Sequence, residues 1–158
     1  MIRPATPSDL DRLAPLLHAL WPHASLAEHA RDLAPLLSGR GPSTLPMAHF
    51  VAESPDGQLI GFAEVALRSH ADGCDPAHPV GYLEGWYVDP AHRRRGIGRA
   101  LLAAAEAWAR SHGCREMASD ALIDNAVSQQ AHAGRALPSP TAAFTTGNRC
   151  EGHAATAS

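Results

Sequence analysis

The sequence predicts an α/β (α+β) domain built on a mixed sheet, and three observations carry that reading. Leucines recur at helical spacing between Leu10 and Leu37, and two apolar stretches then flank a Pro-Asp-Gly turn. From Val80 onward a strand-like run, a glycine loop, an alanine-rich helix and a second short strand follow one another. At 158 residues the chain has the length of one domain with a single core.

Each element has a local cause. In TPSDLDRLAPLLHALW, Thr6 and Ser8 are candidate caps, Pro7 suits a first helical turn, and Asp9 lies near the helix start. Leu10, Leu13, Leu16, Leu17 and Leu20 then form one apolar face. A second helix, Ser25 to Leu37, opens with Ser25 and Glu28 in capping-box spacing and stops at SGRGPS. HFVAES, PDG and QLIGFAEVALRS predict a hairpin with Val51, Leu59, Ile60, Phe62 and Val65 facing inward. After a Gly/Asp/Pro-rich loop, VGYLEGWYV predicts a strand and GRALLAAAEAWARSHG a helix ended by Gly113. REMAS then reads as a short strand and DNAVSQQAHA as a short helix.

Composition narrows the function classes. With 16 acidic and 13 basic residues the formal charge is -3, which supplies no general field for nucleic acid. Every basic residue is arginine, as a GC-rich coding bias would produce, so arginine enrichment alone carries no functional weight. Cys74, Cys114 and Cys150 are too scattered for a disulfide framework or metal knuckle, and the ten histidines lack the i, i+4 helical pairing of a metal site, so no metal is expected. No apolar run approaches the length of a membrane span, and the polar start MIRPATPSD does not resemble a leader; a cytoplasmic protein without membrane or nucleic-acid partners is the expectation.

HRRRGIG, His92 to Gly98, is the stretch with chemistry in it. A strand ending at Val88, a glycine loop and a helix starting near Gly98 leave backbone N–H groups unpaired at a positive helix end, which binds phosphate. Gly96 and Gly98 permit close approach of a diphosphate, and the arginines add charge at the rim. A P-loop requires lysine, which the chain lacks, and a dinucleotide loop requires a third glycine where Leu101 or Leu102 stands.

The pattern Arg93, Gly96, Gly98, preceded by the strand and Asp-Pro of WYVDPAHRRRGIG, resembles the acyl-coenzyme A loop of the GCN5-related N-acetyltransferases (GNAT). The resemblance implies a splayed, mixed central sheet flanked by helices. It also implies that the strand ending at Val88 offers backbone groups to the pantetheine arm and acetyl carbonyl. Amides from Arg94 through Arg95, Gly96, Ile97 and Gly98 to Arg99 are then expected to hold the pyrophosphate of acetyl-CoA, with Asn125 of DNAVSQQAH against the pantetheine arm. LWP at Leu20, GCD at Gly73, YLEGWYV at Tyr82 and GCREMASD at Gly113 are further similar to the aminoglycoside 6′-N-acetyltransferase branch. That likeness implies that Glu84 and Asp120 contact the aminoglycoside and that Trp21 lines its site.

Acyl transfer to an amine needs an uncharged amine and a polarised thioester carbonyl. Glu84 is the expected general base, direct or through water, Asp120 positions the amine-bearing ring, and the amide near Val88 serves as the carbonyl's donor. Direct attack in a ternary complex needs no cysteine nucleophile. Beside these roles stand structural ones: Glu84 as an outward-facing strand charge, Trp21 as a core plug, Asp120 as a turn cap. Two alternatives also stay open, a GNAT enzyme for another amine or a protein N-terminus, and a coenzyme A binding module without turnover.

The expected domain covers residues 1–133, followed by an atypical, disordered tail at 134–158. Residues 134–158, GRALPSPTAAFTTGNRCEGHAATAS, show no strand periodicity and no tyrosine where the family continues with a Leu-Gly-Phe turn and two strands. A shifted reading frame can encode ASKSDRSVYYRKPL there, so an insertion or deletion near Ala133 to Ala136 is expected to have left a foreign tail. Lost C-terminal strands and a missing acid would weaken the sheet edge and the homodimer that such strands often form.

Overall fold

The computed structural model describes residues 1–41 and 44–119, together with the backbone of residues 144–146. In chain order these form β1 (Ile2–Pro4), a 3₁₀ turn (Pro7–Asp9), α1 (Leu10–Leu20), α2 (Leu26–Leu37), β2 (Met47–Glu53), β3 (Leu59–Arg68) and β4 (Val80–Val88). A second 3₁₀ turn (Pro90–His92), α3 (Ile97–Ser111), β5 (Glu116–Ser119) and β6 (Phe144–Thr146) follow. The strands make one sheet in the order β1-β2-β3-β4-β5-β6, antiparallel from β1 to β4 and parallel from β4 to β6.

The helices start where their caps direct. Ser25 Oγ accepts from the Glu28 amide at 3.2 Å, and the Glu28 carboxylate accepts from the Ser25 amide at 2.8 Å, closing the capping box. The bonds that this carboxylate accepts from the Ser25 amide and, at 2.8 Å, from the Ser25 hydroxyl hold the Glu28 carboxyl below its usual range. Gly113, in the left-handed region at φ +83°, ends α3 as its position in the sequence predicts. Pro15 and Pro35 lie inside α1 and α2, on the side away from the deepest core leucines, where a missing amide is least costly.

Two elements differ from expectation. β1 is too short for periodicity to announce it; it is held by pairing Ile2 with Ala52 and by Arg3. The Arg3 guanidinium donates to Asp9 at 2.7 and 2.9 Å and to Glu53 at 2.7 Å, tying the first strand to the start of α1. β6 lies in the segment expected to lack strands, and pairs Met117 with Phe144 through Ser119 with Thr146. Main-chain pairing at an open sheet edge requires no side-chain alternation. The expected helix DNAVSQQAHA and the remainder of 134–158 lie outside the described residues.

The hairpin's buried set divides between two cores, because helices cover both faces of the sheet. Val51, Leu59 and Phe62 pack with Leu13, Leu16, Leu17 and Leu33 beneath α1 and α2. Ile60 and Val65 pack with Leu83, Leu101, Leu102 and Ala105 against α3. The five residues predicted to face inward are all buried, but on opposite sides.

One irregularity sets the geometry of the site. Opposite β3, Glu64 pairs with Gly85 while Val65 pairs with Leu83, so Glu84 is an extra residue, a β-bulge. The bulge puts Glu84 and Gly85 on the α1/α2 face together. It turns Trp86 and Val88 to the α3 face, where both pack against that core. Among the described residues the ladder between β4 and β5 runs from Val80–Glu116 to Leu83–Ser119, short of residues 84–88 of β4.

Candidate active site

β4 leads into a main-chain cradle at the start of α3. Asp89 Oδ1 accepts from the Ala91 amide at 2.8 Å, and the Asp89 amide donates to Ile60 O at 2.9 Å on β3. Strand amides alternate between edges, so the Val88 N–H points the other way, toward the β5 side. Val88 O accepts from Arg93 Nε at 2.9 Å, which fixes the first loop arginine. Arg94 has φ +59° and Gly96 φ +79°, two left-handed residues that curl the chain into the helix. The first closing bond of α3 runs from the Ala100 amide to Gly96 O at 3.0 Å. The amides of Ile97, Gly98 and Arg99 therefore have no intrahelical acceptor and sit at the positive end of the helix dipole. Arg93, Arg94, Arg95, Gly96 and Arg99 are exposed.

Trp86 sets where that helix begins. Its Nε1 donates to Gly98 O at 3.1 Å, and a Cβ on Gly98 would lie 2.8 Å from the indole ring. Gly98 is thus required by packing against the indole, whatever else the loop does. Sequence spacing gave no hint of that packing.

The second region is an acid-lined cleft on the opposite face of the sheet. It encloses about 290 Å³ between α1, α2 and strands β2–β4, with Trp21, Asp32, His49, Glu64 and Glu84 in its wall. Trp21 caps the end of α1, and its ring lies over Gly85, where a Cβ would come within 2.4 Å of Cη2. Its centroid is 6.1 Å from that of Phe62, so the indole is both packed and open to the cleft. His29 Nε2 at 2.9 Å from Trp21 O and His18 Nδ1 at 2.8 Å from Ala24 O steady the turn that carries it.

Glu84 borders both this cleft and a neighbouring one of about 400 Å³ lined by Met47, Arg68 and His70. Arg68 donates to both of its oxygens, at 2.8 to 3.0 Å, and lies over the Tyr82 ring at 3.3 Å from the centroid. A cation reaching Glu84 must share it with that guanidinium. Glu64, His49, Asp32 and Arg68 were not singled out by sequence reasoning; the signal was the polar pair His49 and Glu64 inside otherwise apolar strands. Asp120 and Asn125 lie outside the described residues.

Other chemistries have weaker footing. Cys114 is buried, and burial pushes its thiol up, away from thiolate reactivity. Among the described residues no group of three or more His, Cys, Asp or Glu is arranged to hold a metal, and no helix is long and apolar enough to cross a membrane.

Comparison with known proteins adds to this geometry. The sequence profile of the Acetyltransferase (GNAT) family matches residues 10–135. The chain belongs to that family. Among its GNAT relatives, the aminoglycoside N(6′)-acetyltransferase type 1 of Klebsiella aerogenes is 42% identical over 132 residues, 84% of this chain and 85% of the relative. The enzyme of the same name from Stenotrophomonas maltophilia is 44% identical over 133 residues, 83% of this chain and 81% of its own length. Among solved structures, an aminoglycoside N-acetyltransferase AAC(6′)-Iy in complex with CoA superimposes with TM-score 0.79 at 34% identity, covering 94% of this chain and 90% of that one. The AAC(6′)-Iy complex with the bisubstrate analogue CoA-S-monomethyl-acetylneamine gives TM-score 0.76 at 34% identity, covering 95% and 98%.

Proposed function

We propose that this GNAT protein transfers the acetyl group of acetyl-CoA to the 6′-amine of aminoglycosides. The observation that carries the reading is the cleft in which Glu64, Glu84 and Asp32 converge with Trp21. An aminoglycoside is a polycation, and carboxylates that replace its lost water with charge-assisted bonds are what its pocket requires. The names of the relatives and the coenzyme-bound structures support the same reading.

The start of α3 suits the cosubstrate: amides without intrahelical acceptors follow Gly96, which is exposed and has nothing within 4 Å of where a Cβ would stand. Acetyl-CoA supplies an activated acyl group with a thiolate leaving group. The amides between Arg94 and Arg99 hold its diphosphate, with Arg93, Arg94 and Arg95 adding charge at the rim. The Val88 amide, on the edge of β4 away from β3, donates to the acetyl oxygen. Glu84, lifted onto the cleft face by the bulge, orients the amine and takes its proton directly or through water. Asp120 positions the amine-bearing ring, Trp21 stacks on it, and Asn125 lies along the pantetheine arm. The amine attacks directly, and no side chain carries the acetyl group.

Mixing the protein with acetyl-CoA and kanamycin should release free thiol and yield kanamycin acetylated on the 6′-amine by NMR; thiol release no faster than without kanamycin contradicts the reading. We also propose a cytoplasmic protein that forms a homodimer where its C-terminal region permits, with the mass in sedimentation as the check: a monomer at every concentration contradicts the dimer.

We further propose that residues 134–158 are read from a shifted frame. The family profile stops at residue 135, next to the expected insertion or deletion. Coding DNA whose alternative frame gives no strand-like continuation contradicts this.

A further inference from the structure

Glu64 and His49 face each other across β2 and β3, as directly paired residues of that ladder. Both sit on the wall of the cleft, on the face that elsewhere carries Val51 and Phe62. His49 is almost wholly buried, its side chain 3% exposed, and its Nε2 has no hydrogen-bond partner. That atom stands 3.6 Å from Glu64 Oε2, too far for a hydrogen bond. The Glu64 carboxylate is itself 14% exposed and accepts no hydrogen bond among the described residues. Glu84, by contrast, already receives both prongs of Arg68.

An unsatisfied imidazole nitrogen and a largely covered carboxylate, side by side, are costly for the fold to keep. Their shared need is a donor-rich cation small enough to enter the cleft. An ammonium offers three donors, and the hydroxyl that neighbours it on an aminosugar can bond the imidazole nitrogen.

We propose that Glu64, beside the His49 imidazole, is a further anionic subsite that takes an ammonium of the aminoglycoside other than the reacting 6′-amine. This rests on the aminoglycoside reading above. Glu64 takes the ammonium, and the His49 imidazole nitrogen takes the neighbouring hydroxyl. The subsite sets affinity and has no part in bond making.

The test is steady-state kinetics of the full chain with kanamycin and acetyl-CoA, comparing wild type with Glu64→Gln. Removal of one charge-assisted contact should raise KM for kanamycin about tenfold, with kcat within about twofold. KM for acetyl-CoA and the melting temperature should stay at wild-type values. A folded Glu64→Gln with unchanged KM for kanamycin overturns the subsite while leaving the acetyltransferase reading intact. Wild type that acetylates no aminoglycoside overturns both. As a readout on the unaltered protein, the His49 imidazole NMR resonances should shift saturably as kanamycin is added in the presence of coenzyme A. Resonances that stay in place at saturation overturn the subsite, whatever the variant does.

Discussion

The start of α3 and the acidic cleft lie on the two sides of β4 and are made of different material. The cradle at Gly96 to Arg99 is main chain: its donors are amides, and the side chains that matter are the ones glycine omits. The cleft is side chain throughout, with Trp21 from the end of α1, Asp32 from α2, His49 from β2, Glu64 from β3 and Glu84 from β4. A backbone site is fixed by a few contiguous residues and is sensitive to added bulk. A side-chain site is fixed by register across several elements and is sensitive to charge and packing.

The largest expected effect breaks both regions together. Asp9 is fully buried and receives Arg3 and the Thr6 amide, joining β1 to the helix that carries Trp21. Arg3 foremost holds its carboxyl well below the usual range. Asp9→Asn removes the buried anion from between the part-buried Arg3 and Arg12 guanidiniums and should cost about 3 kcal/mol of stability in urea unfolding. Because the folded carboxyl is the stronger acid, its contribution is complete above the unfolded value of about 4. It is lost as pH falls below that, so the variant's stability should depend less on acid than the wild type's does.

Next come two glycine changes that should separate the regions. Gly98→Val drives a branched side chain into the Trp86 ring, and overpacking of about 1–3 kcal/mol should weaken coenzyme A binding roughly 10- to 100-fold in calorimetry. Aminoglycoside binding should change little. Gly85→Ala pushes on the Trp21 ring instead and should raise KM for kanamycin about tenfold with coenzyme A affinity kept, as expected for strain near 1–2 kcal/mol. Equal loss of both ligands in either variant would show that the regions are one unit.

The smallest effect tests what the cradle is made of. Arg94 holds a left-handed φ of +59°, and Arg94→Gly relieves that strain, so the melting temperature should rise by a few degrees, about 0.5–1 kcal/mol. If amides bind the diphosphate, coenzyme A affinity should fall by no more than about threefold. A much larger loss would assign the binding to the guanidinium.

The contrast also explains what could be read from the chain alone. The glycine loop, the caps at Ser25 and Gly113, and the leucine face of α1 are local patterns, and each has its counterpart in the structure. Strand alternation, however, puts Glu84, Trp86 and Val88 on one face, and only the extra residue opposite Glu64–Val65 parts them. The bulge is set by pairing with β3 and leaves no mark in the YLEGWYV stretch. Likewise, nothing near His49 in sequence announces Glu64, which reaches it only through the β2–β3 register. β1 is legible only through Arg3, whose partners Asp9 and Glu53 are defined by the fold.

The most direct measurement is a ¹⁵N-resolved NMR titration of the full chain with coenzyme A. The amide resonances of Gly96, Ile97, Gly98 and Arg99 should move furthest and saturate with the binding isotherm, while those of His49 and Glu64 stay in place until an aminoglycoside is added. Saturable coenzyme A binding that leaves the four amides at the start of α3 unshifted, or no binding by folded protein, would contradict a diphosphate held by main chain.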